Sequence, residues 1–474
     1  MPDIPIRKFR MAPSSPYYAS VLRLGAGFFC VFMAFNTTQA LISTLTSDKT
    51  LAYATLGVLY GIFTMTSFIA PKLVDLMGPR IAITVGAIPY VLFVFANIYP
   101  VWGTLLPASA GVGFGAAILW TGQGIYLSRC AVRDAALTGD SVDVCTSKMN
   151  GTFWTLFQFN AAVGLVMSSI ILGQAQSGAF SLKSAVTWMF IGFGALGVFG
   201  VSVFFSLTDA PPMKSGEGVS VVSDEEDGIE KDEKKGGASF YDTLQLIGSS
   251  RAMQLLLPVI FYCGASLGFF NATFPLIYQD PDIHTQTGLL PSSYVGYQAA
   301  TFYLFNSLFS FAWGKTVTNW GRRPLFLVTF ITSTVFFGVL LLQSMGIIQI
   351  KHQSAGAYIL VFGLAISFAA GDSVLESQIP AIIQSPSFFP VERDRDAANS
   401  VLRMMQSLGY CAYFGLSIGL QGASDGSTLQ IILLFVLMFV ALSCVWACDV
   451  YVRSVDGGKV DSAAEYTQVK GTDE

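Results

Sequence analysis

Apolar residues fall into twelve runs of membrane-spanning length, each bounded by charges, Pro or Gly-Ser clusters. Their rough extents are 21 to 45, 52 to 74, 80 to 98, 102 to 128, 149 to 173 and 185 to 207, then 252 to 277, 294 to 317, 323 to 348, 355 to 380, 398 to 421 and 427 to 452. About 20 apolar residues at about 1.5 Å each cross the hydrocarbon of a bilayer. A helix is the only element in which a single apolar run satisfies all its own backbone groups in lipid. The pattern therefore predicts an all-α polytopic membrane protein with twelve transmembrane helices in two six-helix halves. The first run continues directly into a second span, so it reads as a helix of the mature chain rather than a cleavable leader.

Between the sixth and seventh runs lies one long polar connection with Asp224-Glu225-Glu226-Asp227 and Lys231-Asp232-Glu233-Lys234-Lys235. Such a composition buries too little apolar area to order itself. The expected organisation is an N-terminal tail (1–20), a first half (21–207), an acidic disordered linker (208–251), a second half (252–452) and a C-terminal tail (453–474). With both termini in the cytosol, all but three of the 26 Lys and Arg residues fall inside, the exceptions being Lys49, Lys183 and Lys351. The bias survives removal of the linker lysines and predicts cytosolic tails and linker.

Composition agrees with the pattern. The 474 residues are 53% hydrophobic and 12% charged, where soluble domains carry about 25% charged residues. That excludes a water-soluble body, and nothing in the charge distribution favours nucleic acid. The net charge of −4 sits mainly in the linker and tail. Seven cysteines fall mostly in apolar runs without a CxxC pair or His partners, and read as packing residues. No metal or cofactor is implied. Walker, HExxH and nucleophile-elbow motifs are absent from the sequence, which predicts a non-enzymatic protein. Gly192-Phe193-Gly194-Ala195-Leu196-Gly197 fits a dinucleotide pattern but lies inside an apolar run with no preceding strand, so it reads as helix packing. His284 and His352 fall in outer connections and read as solvated loop residues.

Equivalent positions in the two halves match in the same order. Phe35-Asn36-Thr37-Thr38 of the first span parallels Phe270-Asn271-Ala272-Thr273 of the seventh. Trp120-Thr121-Gly122-Gln123 of the fourth parallels Leu375-Glu376-Ser377-Gln378 of the tenth. The connection holding Asp75, Gly78 and Arg80 parallels the one holding Gly314, Gly321, Arg322 and Arg323. The pattern is that of an internal duplication.

These connections resemble the cytoplasmic loop signature of the major facilitator superfamily, with Pro71 and Pro79 replacing a glycine and an arginine in the first copy and Thr318 replacing the acid in the second. A narrower resemblance spans most of the membrane part. Gly25 to Phe29, Ala34 to Gln39, Gly113 to Ala117, Trp120-Thr121-Gly122-Gln123-Gly124-Ile125-Tyr126-Leu127, Gly371-Asp372-Ser373, and Arg403-Met404-Met405-Gln406-Ser407-Leu408-Gly409 are similar to the uncoordinated-93 family. That resemblance implies a major facilitator fold and regulation of potassium channels or escort of membrane receptors. It also implies that the first, fourth, seventh and tenth spans line a central cavity, placing Asn36, Gln39, Trp120, Gln123, Asn271, Asp372, Glu376 and Gln378 on cavity helices. Glu376 departs from the uncharged residue the resemblance implies.

Asp372, Glu376 and Arg403 lie well inside predicted spans, where an ionisable group needs a partner or water. Asp372 and Glu376, four residues apart, share a helix face. Counting residues from the inner ends at about 1.5 Å each puts Glu376 level with Arg403 and Asp372 level with Gln406. Two readings are open: a buried Glu376–Arg403 pair with a structural role, and a titrating Asp372 that couples protons or cations. The amides likewise fit either interhelical hydrogen bonding or contact with a solute. Tyr466-Thr467-Gln468-Val469 in the tail has the spacing of a tyrosine-based sorting signal, with Tyr466 and Val469 as its anchors. The expected setting is therefore the plasma membrane or an endosomal membrane. Two functions follow as expectations: a regulator or escort of a potassium-class channel or a receptor subunit, and, as the alternative, a proton- or cation-coupled carrier of a small solute.

Overall fold

A computed structural model describes residues 15–45, 49–176, 181–209, 240–278, 295–351, 354–420 and 425–470. Its helices are α1 (Pro16–Leu45), α2 (Lys49–Ser67), α3 (Ala70–Met77), α4 (Pro79–Ala96), α5 (Trp102–Thr138), α6 (Val142–Gln176) and α7 (Leu182–Phe204). They continue with α8 (Phe240–Ser249), α9 (Arg251–Tyr278), α10 (Val295–Trp320), α11 (Arg323–Ser344), α12 (Ala355–Ile383), α13 (Glu392–Gly419) and α14 (Gly426–Lys470).

Among the described residues, eight helices are long and apolar enough to cross a membrane unaided, and α2 with α3, bent by 70°, adds a ninth. The remaining long helices, α6, α10 and α13, carry buried polar side chains such as Asn150, Asn306 and Arg403. Counting α2–α3 as one, and setting α8 aside, twelve helices answer to the twelve predicted runs. The halves pack separately. One core draws its buried members from Leu246 to Val452, while the first-half clusters draw theirs from Val21 to Leu207.

Helix ends depart from the predicted runs because hydropathy marks the lipid-facing length and not where the hydrogen-bond ladder stops. Helix α5 continues to Thr138, and α13 begins at Glu392. Most of the predicted linker, 210–239, lies outside the described residues, but its end at Phe240–Ser249 forms α8. That helix packs on α13, where Asp242 pairs with Arg393. The expected disorder therefore does not extend to residue 249. The glycine that both loop signatures share is explained by backbone geometry: Gly78 has φ 77° and Gly321 has φ 74°. An L side chain there would be strained. Each is followed by a helix with Pro in its first turn, α4 and α11.

The halves meet along α2, α5 and α6 on one side and α10, α12 and α13 on the other. Helices α6 and α10 cross so closely that a Cβ on Gly151 would lie 2.8 Å from the Cα of Gly314. This gives the leading glycine of the second loop signature a role at the seam. The end of the bundle holding the start of α1, here the tail end, is closed by polar contacts between the halves. Arg129 reaches Glu392 at 3.1 Å and Asp396 at 3.6 Å. Asp143 accepts from Ser385 and Ser387 and lies 3.7 Å from Arg322. Asn150 donates to Gln384 at 2.9 Å. Contacts continue to mid-bundle through Thr121–Ser400, Ser307 donating to the Thr155 carbonyl, and Thr64–Ser407. The series ends at the Tyr60–Tyr410 stack, with ring centroids 5.5 Å apart. Beyond it, towards the far end, no hydrogen bond or ion pair joins the halves among the described residues.

Candidate functional site

Below the Tyr60–Tyr410 stack, α9, α12 and α13 bring together a charged and polar cluster. Glu376 is 4% exposed, Asp372 2% and Arg403 4%. The Glu376 carboxylate accepts from Gln406 Nε2 at 2.7 Å and from Cys263 Sγ at 3.2 Å. Arg403 donates to Gln406 Oε1 at 2.9 Å. The Glu376–Arg403 pair is therefore bridged, not direct: Gln406 lies between them and takes one hydrogen bond from the cation while giving one to the anion. The reason is the register on α13, where positions 403 and 406 are three apart and share a face.

Asp372 also has a different partner from the one expected. Asn306 Nδ2 of α10 donates to its Oδ2 at 2.7 Å, and Gln406 goes to Glu376 instead. Helix α12 packs chiefly on α10 and α11 and touches α13 only lightly, so one turn along its face is enough to change neighbours. Asp372 Oδ1 is buried without a hydrogen-bond partner. A small cavity of about 10 Å³, room for roughly one water, opens beside the cluster, bounded by Cys263, Glu376, Arg403 and Gln406 with apolar walls such as Ile260 and Ile379.

Arg403 also ties the cluster to the other half. Its guanidinium donates to Gln123 Oε1 at 3.3 Å and sits 4.7 Å from the Trp120 ring centroid and 5.8 Å from that of Trp154. Those indoles stack on each other, and Trp120 Nε1 donates to the Tyr90 hydroxyl. Helices α5 and α6 thus present a π-face and an amide to a cation held on α13.

The remaining predicted cavity residues divide by depth. Asn36, half-buried, donates to Asn160, and Gln39 donates to the Tyr60 hydroxyl. Asn271 is exposed and accepts from the Tyr303 hydroxyl at 3.1 Å. Gln378 is fully buried, bonded to Ser377 and away from the others, with its Oε1 unpartnered. Sequence reasoning missed Cys263, treated as packing, and Asn306. An amide inside an apolar run, as in Phe305-Asn306-Ser307, was the available signal for the second.

The loop-signature residues brace the tail end. Asp75 lies 3.8 Å from Lys72, Arg80 pairs with Asp209 at 3.0 Å and donates to the Phe205 carbonyl, and Arg323 pairs with Asp449 at 2.6 Å. Of these basics, Arg322 alone crosses to the other half. The side chains of Thr318, Tyr466 and Val469 lie outside the described residues, as do His284 and His352; the backbone of helix α14 runs through 466 and 469.

Comparison with known proteins places this arrangement. The structure resembles the Escherichia coli fucose:proton symporter FucP with a TM-score of 0.64 over 91% of this chain and 99% of that one, at 12% identity. It resembles the proton:xylose symporter XylE with a TM-score of 0.62 over 91% and 95%, also at 12%. At that identity the likeness shows the fold, that of the major facilitator superfamily. In sequence the chain is 28% identical to protein unc-93 homolog A of Bos taurus, over 84% of this chain and 87% of that one. It is equally 28% identical to UNC93-like protein 3 of Arabidopsis thaliana, over 85% and 80%. The family described as ion channel regulatory protein UNC-93 matches residues 43–445, from the end of α1 into α14 and including the tail-end seam and buried cluster, and this chain belongs to that family.

Proposed function

We propose that this chain regulates an ion channel of the potassium class, or escorts a membrane receptor, through the state of its two halves rather than through chemistry on a substrate. The observation that carries the reading is the seam. Ion pairs at Arg129 and Arg322 close the tail end, while among the described residues polar contacts between the halves reach only to mid-bundle. The result is a body with one latched end and one separable end. Membership of a family described by channel regulation supplies the role for such a body. In this reading both tails and the linker are cytosolic, as the positive-inside bias favours, and the protein works at the plasma membrane or in endosomes.

The test is coexpression with a panel of potassium channels, recording whole-cell current and channel surface abundance. The chain should change one or both, and Arg129→Ala with Arg322→Ala, made together and expressed at wild-type level, should change the effect. Currents and abundance unmoved across the panel would refute the regulatory reading.

A second reading is favoured by one specific observation, the unpartnered oxygen of Asp372 at the base of the separable side. A carboxylate so placed suits proton- or cation-coupled carriage of a small solute. Asp372→Asn should then abolish pH-dependent flux in proteoliposomes while leaving the fold intact, and wild-type flux in that variant would remove Asp372 as the coupling group.

A further inference from the structure

Three potential metal donors meet inside the second half. Cys263 on α9 and Asp372 and Glu376 on α12 each place one donor atom within 4.8 Å of the others, and all three residues are buried. A bare acidic cluster would mean little, but two further observations mark this one. Asp372 keeps Oδ1 buried and unpartnered although its other oxygen is held by Asn306. The cavity beside Cys263 and Glu376 adjoins two of the three donors.

We propose that Cys263, Asp372 and Glu376 form a binding site for one divalent transition-metal ion of the zinc class. The donor set is the first reason. One sulfur and two carboxylates suit a borderline-soft ion, whereas Mg²⁺ and Ca²⁺ select oxygen donors alone. Bonds of about 2.0 to 2.3 Å to such an ion place tetrahedral donors roughly 3.4 to 3.7 Å apart. A closure of about 1 Å from 4.8 Å is within side-chain reach, and the cavity leaves a fourth position to water.

Charge is the second reason. Thiolate and two carboxylates carry three negative charges; a divalent ion and the Arg403 guanidinium carry three positive ones. The loaded cluster is then neutral, as a site buried at membrane depth requires. A monovalent ion would leave net negative charge and gain nothing from the sulfur. On loading, the Cys263 thiol proton, and any proton held by a carboxyl, leaves to water; the sulfur changes partner from Glu376 to the ion, and nothing is oxidised or reduced. Gln406 remains the link from Glu376 to Arg403. The site depends on neither functional reading above, and it names a cargo or an effector for each.

The test uses the full-length chain, purified without a histidine tag in detergent and titrated with Co²⁺ as a spectroscopic substitute for Zn²⁺. One equivalent should bind per chain with a thiolate-to-metal charge-transfer band, and Zn²⁺ should displace it. Cys263→Ser should remove the band, and Asp372→Asn and Glu376→Gln should each weaken binding by about tenfold or more. Cys130→Ser, a buried thiol on α5 in the other half, should change nothing. In parallel, Zn²⁺ should raise the melting temperature of the wild type, a shift that needs no variant to fold. A band that survives Cys263→Ser, or the absence of both saturable Co²⁺ binding and any Zn²⁺-dependent melting shift in the wild type, would overturn the proposal.

Discussion

Gly264 of α9 tests how tightly the buried cluster is clamped. A Cβ at this position would lie less than 3.0 Å from the Gln406 carbonyl oxygen of α13, and one on Gly409 would meet the Phe261 carbonyl in return. Glycine on each helix therefore sets their separation, and Gln406 is part of the contact itself. Gly264→Ala must push the helices apart by roughly 1 Å, which by overpacking alone costs about 1 to 3 kcal/mol. If α13 takes up the displacement, Gln406 is also carried off its 2.7 Å bond to Glu376 of α12. Loss of a bond to a charged group adds about 1.5 to 3 kcal/mol. The expected destabilisation is about 1 to 3 kcal/mol from overpacking and about 2.5 to 6 kcal/mol with that bond lost, read by reversible SDS unfolding in mixed micelles. Gly363→Ala on α12 is the control: nothing lies within 4 Å of its Cβ, and relief of glycine's backbone entropy predicts a gain of about 0.5 to 1 kcal/mol. If Gly264→Ala unfolds within about 0.5 kcal/mol of wild type, the α9–α13 crossing is not the clamp described here.

Three other outcomes can be checked. Arg403→Met should cost about 3 to 5 kcal/mol because it strands Glu376, whereas Arg403→Met with Glu376→Gln should cost less; equal damage, by the same unfolding assay, would count against charge compensation through Gln406. Asp396 precedes the predicted membrane-crossing part of α13, and burial pushes its carboxyl up to about 7 from 3.8, with Arg129 and Arg395 opposing and Glu392 and Asp75 reinforcing. A carboxyl held protonated more tightly when folded stabilises most below about pH 4 and loses that contribution as pH rises through about 7; at about 1.4 kcal/mol per pH unit this is up to ~4 kcal/mol, and Asp396→Asn should flatten unfolding free energy across that window. Tyr466→Ala should raise the surface fraction measured by biotinylation if the tail carries a sorting signal, and an unchanged fraction would sink that idea.

The sequence made the fold legible where one physical constraint dominates. Twenty apolar residues in a row have few options in lipid, so the helices were readable, as were the turn glycines Gly78 and Gly321 with their positive φ. The site was legible only in part, because residue counting fixes depth along a helix but not which helix stands opposite. Asp372 and Gln406 are placed at similar depth by that count, yet Asp372 faces Asn306 of α10, since α12 leans on α10. Cys263 read as packing because burial and function look alike for a lone thiol in an apolar run; only the fold brings Glu376 to it. The tail-end bridges from Arg129 and Asp143 were equally hidden, joining residues more than 200 positions apart.

Magnitudes indicate where the coupling between the halves resides. The tail-end pairs are partly exposed, Arg129 and Glu392 showing 14% and 32% of their side chains and Arg322 and Asp143 13% and 35%. Pairs open to solvent contribute about 0 to 1 kcal/mol each, and salt screens them. Arg403 is buried, and its hydrogen bond to Gln123 together with its seat over Trp120 is worth more: about 1.5 to 3 kcal/mol for the charged bond and about 2 for a desolvated cation–π contact. The same guanidinium is held on its own side through Gln406 to Glu376. Any event that changes charge at Glu376, whether a proton or an ion, alters the hold that Gln406 keeps on Arg403 and so the strongest single link between the halves. On the regulatory reading proposed above, occupancy of the buried cluster would loosen or tighten the seam, with the tail-end ion pairs setting the register in which the halves meet.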